Sequence, residues 1–127
     1  LHVLLVDDIE VNREIAKMLL ENEGFVVKVA TNGKEAVEKA QSEDFDVILM
    51  DVQMPIMDGY EATGHIREIP GARGKVPILA MTANAFSEDV EIAKKSGMDG
   101  HIAKPLDVPT MLKTLADILR KGEKIRK

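Results

Sequence analysis

Five short runs of β-forming residues alternate with helical stripes along the chain. The runs are Leu1–Val6, Phe25–Ala30, Phe45–Met50, Val76–Met81 and Gly100–Ala103. The first, third and fourth are largely continuous in apolar residues instead of alternating, as parallel strands covered on both faces require. Between the runs, apolar residues recur at three- and four-residue steps. The stripes are Ile15, Ala16, Leu19 and Leu20; Ala36, Val37 and Ala40; Val90 and Ala93; and Met111, Leu112, Leu115, Ile118 and Leu119. Asn32-Gly33 and Asp58-Gly59 open the second and third helices, and Gly97 stands where a helix C-cap belongs. Asp107 and Pro109 mark the start of the last helix. Pro70-Gly71-Ala72-Arg73-Gly74-Lys75 reads as the one clear loop. Five βα units in alternation predict an α/β fold with a parallel sheet and right-handed crossovers. Periodicity leaves the strand order open.

Composition narrows the class. A chain of 127 residues fits one domain. Hydrophobic residues at 45% and charged residues at 31% describe a soluble globular protein, and aromatics at 3% leave the core to aliphatic side chains and methionine. No apolar run approaches the ~20 residues needed to cross a bilayer, and no signal-peptide pattern opens the chain. A cytoplasmic setting without membrane contact is the expectation. The absence of cysteine excludes disulfides, thiolate chemistry and cysteine zinc sites. The net charge is −5, and much of the positive charge sits in Arg120, Lys121, Lys124, Arg126 and Lys127, so the body is more acidic still. That balance argues against a nucleic-acid surface. Residue 1 already lies inside an apolar run, so the chain reads as a piece of something longer. The expected division is a domain over 1–121 and a basic tail or linker stub over 122–127.

In a parallel α/β sheet, function collects beyond the carboxyl ends of the strands. Four of the five runs end there in a reactive polar group: Asp7-Asp8 after the first, Asp51 after the third, Thr82 after the fourth and Lys104 after the fifth. Each alone has a plainer reading. Asp8 could cap the first helix, Asp51 could cap the turn before Pro55, and Lys104 could be a surface residue paired with Asp107. Four chemically matched groups on one edge outweigh those readings. Asp7, Asp8 and Asp51, if neighbouring strands bring them together, place up to three negative charges in a small space, which raises pKa values or demands a cation. Oxygen ligands of this type suit Mg²⁺. Lys104 adds a mobile positive charge and Thr82 a hydroxyl donor, and such a set can neutralise a phosphoryl group in transit. One carboxylate can then be the nucleophile that forms an aspartyl phosphate.

At these residues the chain closely resembles the receiver domains of two-component response regulators. The resemblance covers residues 1–121 and rests on VDD at 6–8, MDVQMPIMDG at 50–59, MTANA at 81–85 and KP at 104–105. It implies a flavodoxin-like (βα)5 three-layer sandwich with strand order 2-1-3-4-5, which sets the first and third strands side by side. It further implies that Asp51 takes a phosphoryl group from a histidine kinase or a histidine phosphotransfer domain. Asp8, Asp51 and the main-chain carbonyl of Gln53 would hold Mg²⁺, with Asp7 acting through water. Thr82 would hydrogen-bond the phosphoryl group and Lys104 would pair with it. The Lys104–Pro105 bond is cis in this reading, and Gln53 and Asn84 tune how long the phosphoryl group survives.

His101 matches the family's switch position three residues before the lysine, where Tyr or Phe is commoner. Phosphorylation would draw Thr82 and Lys104 to one side of the pocket and let His101 pack inward, changing the surface formed by the last two helices and the fifth strand. A plain edge-strand histidine is the alternative. His2 and His65 carry no partner signal. The blocks MDVQMPIMDGYEA, LAMTANAF and GMDGHIAKP, with the Gly-rich loop at 71–74, resemble receivers of hybrid sensor histidine kinases, in which the kinase core of the same chain is a further partner. A free-standing response regulator, homodimeric or not, is the nearest alternative. Two others come from different classes: a non-phosphorylated docking module, and an aspartate-nucleophile phosphatase, against which Gln53 counts because that chemistry wants a second Asp there.

Overall fold

A computed structural model describes residues 2–52, 57–82, 92, 94–103 and 108–126, of which 103 and 119–126 by their backbone alone. Five strands, β1 (His2–Val6), β2 (Val26–Ala30), β3 (Val47–Asp51), β4 (Ile78–Thr82) and β5 (Gly100–Ala103), form one parallel sheet in the order β2-β1-β3-β4-β5. The helices are α1 (Glu10–Asn22), α2 (Gly33–Ser42), α3 (Gly59–Arg67) and the C-terminal α4 (Val108–Arg126). This is the flavodoxin-like arrangement expected from the resemblance, with β1 hydrogen-bonded to β3.

Pleat alternation divides the core into two layers. Leu4, Val6, Ile48, Met50, Ile78 and Ala80 face α2 and α3, meeting Ala36, Ala40, Ala62 and Ile66. Val3, Leu5, Val47, Leu49, Leu79 and Met81 face the other way, onto Ala16 and Leu20 of α1 and Met111, Leu115 and Ile118 of α4. The central strands are therefore buried throughout β3 and β4, which explains their unbroken apolar runs. The edge strand β2 is buried only at Ala30.

Local signals account for the helix starts. Asn32 accepts the Glu35 N–H at 2.8 Å, and Thr31 Oγ1 donates to Glu35 Oε2 at 2.7 Å, a variant of the capping box. Asp58 accepts the Glu61 N–H at 2.8 Å. Gly97 ends a helical turn at 94–96 with φ +101°, the left-handed conformation a helix terminus asks of glycine. Val90, Ala93 and Asp107 lie outside the described residues. Among the described residues no helix is long and apolar enough to cross a membrane.

Three expectations are corrected, and one alternative reading falls away. β3 and β4 begin two residues later than the apolar runs and end one residue later. Pro77 has no N–H for a ladder and acts only as acceptor, from the Ile48 N–H at 2.8 Å. Asp46 instead locks the entry to β3, its N–H on the His2 carbonyl and its carboxylate on the His2 N–H, 2.8 and 2.7 Å away. The loop at 70–75 contains a 3-10 turn over Ala72–Lys75 with Gly74 buried. Ile15, counted with the first apolar stripe, is 48% exposed, and only Ala16 and Leu20 of that stripe are buried. Residues 15 and 16 stand about 100° apart on the helix, so a stripe two residues wide reaches beyond the sheet. The first helix also does not use Asp8 as its cap: the capping residue is Ile9, which makes no side-chain cap.

Candidate active site

The carboxyl edge of the sheet gathers the acidic residues by strand order alone. Asp7 follows β1, and its N–H donates to the Ala30 carbonyl at 3.1 Å, extending the β1–β2 ladder by one residue. Its Oδ1 accepts the Ile9 N–H at 3.0 Å, the turn that starts α1 in place of an ordinary cap. Arg13 Nη1 donates to the Asp7 main-chain oxygen at 2.9 Å. Asp51 is the last residue of β3, opposite Met81, and the Val52 N–H reaches the Met81 carbonyl at 3.3 Å. One oxygen from each of Asp7, Asp8 and Asp51 lies within 4.8 Å of the others. Asp7 is 2% exposed and Asp51 4%, whereas Asp8 reaches solvent.

Buried carboxylates at this range repel one another in a medium that screens poorly. A divalent ion that prefers oxygen donors and keeps several waters fits such a set, and Mg²⁺ is that kind of ion. Asp7 also holds the first turn of α1, so its orientation is fixed before any ion arrives.

Thr82 ends β4 at the same edge, 6% exposed and opposite Ala103. His101 pairs with Ala80. It therefore shares a sheet face with Ala80 and Thr82, while Ile102 points into the layer beneath α1 and α4. His101 is half-buried, beside small residues. Lys104, Pro105, Gln53 and Asn84 lie outside the described residues. The structure thus brings Asp7, Asp8, Asp51 and Thr82 to one edge, with His101 further back on the β4 side. Sequence reasoning missed Arg13, and it read Gly33 and Gly59 only as helix openers. The signal at both glycines was their place directly after a capping residue, where a side chain is ordinarily harmless.

Comparison with known proteins agrees with this geometry. The model of the response regulator receiver domain family matches residues 3–116. Chemotaxis protein CheY of Halobacterium salinarum is 39% identical over 117 residues, 92% of this chain and 95% of that protein. Hybrid signal transduction histidine kinase G of Dictyostelium discoideum is 39% identical over 110 residues, 85% of this chain but 3% of that protein. Among solved structures, the receiver domain of a sensor histidine kinase from Pseudomonas aeruginosa PAO1, with magnesium coordinated in its active-site cleft, superposes with a TM-score of 0.84 at 36% identity, covering 93% of this chain and 96% of that one. A Saccharomyces cerevisiae response regulator receiver domain, crystallised with a histidine phosphotransfer protein, gives 0.85 at 28% identity over 93% and 88% of the two chains.

Proposed function

Because this chain belongs to the response regulator receiver domain family, we propose that Asp51 is the residue on which it accepts a phosphoryl group in a two-component phosphorelay. The observation that carries this reading is the meeting of Asp7, Asp8 and Asp51 within 4.8 Å at the carboxyl edge of the sheet. An Asp51 carboxylate oxygen attacks the phosphorus of a phosphohistidine, the P–N bond breaks, and the imidazole leaves. Asp8 and Asp51, with the Gln53 carbonyl and with Asp7 through water, would hold Mg²⁺, which when bound neutralises charge on the phosphoryl oxygens. Thr82 donates its hydroxyl to the transferred group and Lys104 pairs with it. Gln53 and Asn84 set its lifetime. Thr82 moving toward the phosphoryl group vacates space on the sheet face it shares with His101, and inward packing of His101 carries the change to the surface around β5.

We read residues 1–121 as the receiver, 122–127 as a basic extension, and the whole as a cytoplasmic domain of a hybrid sensor histidine kinase. The sequence blocks around Asp51, Thr82 and Lys104 support that parent. The chain spans 15% of probable histidine kinase 1 of Oryza sativa subsp. indica. The CheY match along nearly its whole length equally supports a free-standing regulator. Intact mass after incubation with Mg²⁺ and acetyl phosphate tests the chemistry: one phosphoryl group is expected, mapping to the peptide that contains Asp51. No adduct, or an adduct elsewhere, overturns it.

The exposed face of α1 supports a docking place for the phosphodonor. Val11, Ile15 and Met18 recur at i, i+4 and i+7 along α1 and are 65%, 48% and 55% exposed, an apolar stripe that starts one turn from Asp8. Exposed apolar stripes of this kind serve helix-on-helix recognition, and a helix carrying the donor histidine would lie on this one with its imidazole at Asp51. Ile15→Glu is expected to slow transfer from a phosphorylated histidine phosphotransfer domain by about tenfold or more, the loss of one well-packed apolar anchor. Phosphorylation by acetyl phosphate should be unchanged. Equal slowing with both donors removes α1 from the docking surface.

A further inference from the structure

The backbone leaving Asp51 returns to the sheet at Gly59, where it meets Asp51 again. Gly59, the first residue of α3, donates its N–H to the Val52 carbonyl at 3.3 Å, and a Cβ at that position would lie 2.3 Å from the Asp51 main-chain oxygen. Two residues earlier, a different helix holds the same stretch. Gly33, the first residue of α2, donates its N–H to the Met57 carbonyl at 3.2 Å. A Cβ on Gly33 would lie 2.4 Å from that oxygen and 3.0 Å from both Met57 C and Met57 Cβ. The demand is for close approach and not for a special backbone conformation, because the positive-φ glycines are Gly24, Gly71 and Gly97. The first N–H groups of a helix have no intrahelical partner, and α2 directs one of them at the segment that follows the acceptor. The turn that presents Gly33 is itself fixed, by the Asn32 cap and by Thr31 on Glu35.

On the reading that Asp51 is the acceptor, we infer that Gly33 is a positioning residue for phosphoryl transfer. The first turn of α2 latches the Met57 backbone, Met57 leads through Asp58 to Gly59, and Gly59 rests on the Asp51 carbonyl. The placement of the acceptor carboxylate relative to Asp7 and Asp8 therefore depends on a helix that contributes no side chain to the acidic cluster. A methyl group on Gly33 would press on the Met57 carbonyl and on Met57 Cβ, none of them the far end of a flexible side chain, so Met57 gives way and the carboxylate moves with it.

The test compares Gly33→Ala with Ala40→Gly, which damages the buried face of α2 away from the latch. Mg²⁺ affinity by calorimetric titration, adduct formation by intact mass and the melting midpoint are read on each chain. Gly33→Ala is expected to weaken Mg²⁺ binding about tenfold or more, the usual size of a lost orienting contact behind a metal ligand, and to slow adduct formation in step. Ala40→Gly is expected to lower the melting midpoint while holding Mg²⁺ affinity within about twofold. Asn32→Ala loosens the same turn without a clash and is expected to shift Mg²⁺ affinity in the same direction by a smaller factor, so the inference stays testable if Gly33→Ala does not fold. Wild-type affinity in Gly33→Ala, or in Asn32→Ala where Gly33→Ala does not fold, overturns the latch, as does equal weakening in Ala40→Gly. Wild-type protein that takes up no phosphoryl group overturns the acceptor reading itself.

Discussion

Asp51→Asn is expected to take up no phosphoryl group from acetyl phosphate and, without Mg²⁺, to be more stable than the wild type. The amide matches the carboxylate in shape but is a poor nucleophile, so loss of the adduct should be complete. The gain in stability follows from the same geometry. Asp7 and Asp51 are 2% and 4% exposed, and Asp8 stands within 4.8 Å of both. Two like charges at such a distance cost about 3 kcal/mol at an effective dielectric near 20. Local hydrogen bonds offset much of this, and Asp7 already accepts one from the Ile9 N–H. Removing one charge of the three should then recover about 1 kcal/mol, a rise of roughly 3–5 °C in the melting midpoint. Saturating Mg²⁺ should narrow the difference, because an ion that binds only the folded wild-type site stabilises it by mass action. An Asp51→Asn chain that melts at or below the wild type in chelator would show that the cluster is not strained by repulsion. An adduct on that chain would move the acceptor elsewhere.

The sequence and the structure agree where information is local. The helix caps at Asn32 and Asp58 and the polar residues Asp7, Asp51 and Thr82 at the strand ends are properties of a few neighbouring residues and were readable, although β3 and β4 each run one residue further than their apolar runs. The strand order was not, because continuous apolar runs such as Leu49 and Leu79 pair equally well in several registers. It came from the resemblance, and the pairing of β1 with β3 bears it out. Given that order, convergence of Asp7 and Asp51 follows with no further assumption. The outward face of α1 was misjudged because Ile15 and Ala16 are both apolar and only the packed fold says which one faces the sheet. Gly33 and Gly59 looked like ordinary helix openers. Their role depends on Met57 and Asp51, contacts that no periodicity announces.

Arg67 was illegible for the same reason, and its removal is expected to cost more stability than any other single change proposed for this chain. It ends α3 and donates to acceptors from 7 to 32 residues away. Nε reaches the Gly97 carbonyl at 2.9 Å, Nη1 the Gly74 and Val76 carbonyls at 3.0 and 2.7 Å, and Nη2 Asp99 Oδ2 at 2.9 Å. One guanidinium thus ties α3, the 3-10 turn, the approach to β4 and the turn before β5 at the edge of the sheet opposite Asp51. Burial lowers its pKa, and Asp99 pulls it partly back. The ion pair alone is half-open to water, with side chains 24% and 44% exposed, and such pairs contribute about 1 kcal/mol or less. The three carbonyls decide the magnitude, because hydrogen bonds to a charged donor are worth about 1.5–3 kcal/mol each before water replaces some of them. Arg67→Ala is expected to cost about 3 kcal/mol in chemical denaturation, and Arg67→Lys roughly half of that, since an ammonium reaches only part of the set. Asp99→Asn keeps an acceptor for the Ile78 N–H, now 2.8 Å away, and should cost about 1 kcal/mol. Below the melting transition all three should still take a phosphoryl group at Asp51, because the clamp lies at the far end of the strands. A cost for Asp99→Asn equal to that of Arg67→Ala would place the stabilisation in the ion pair and not in the carbonyls.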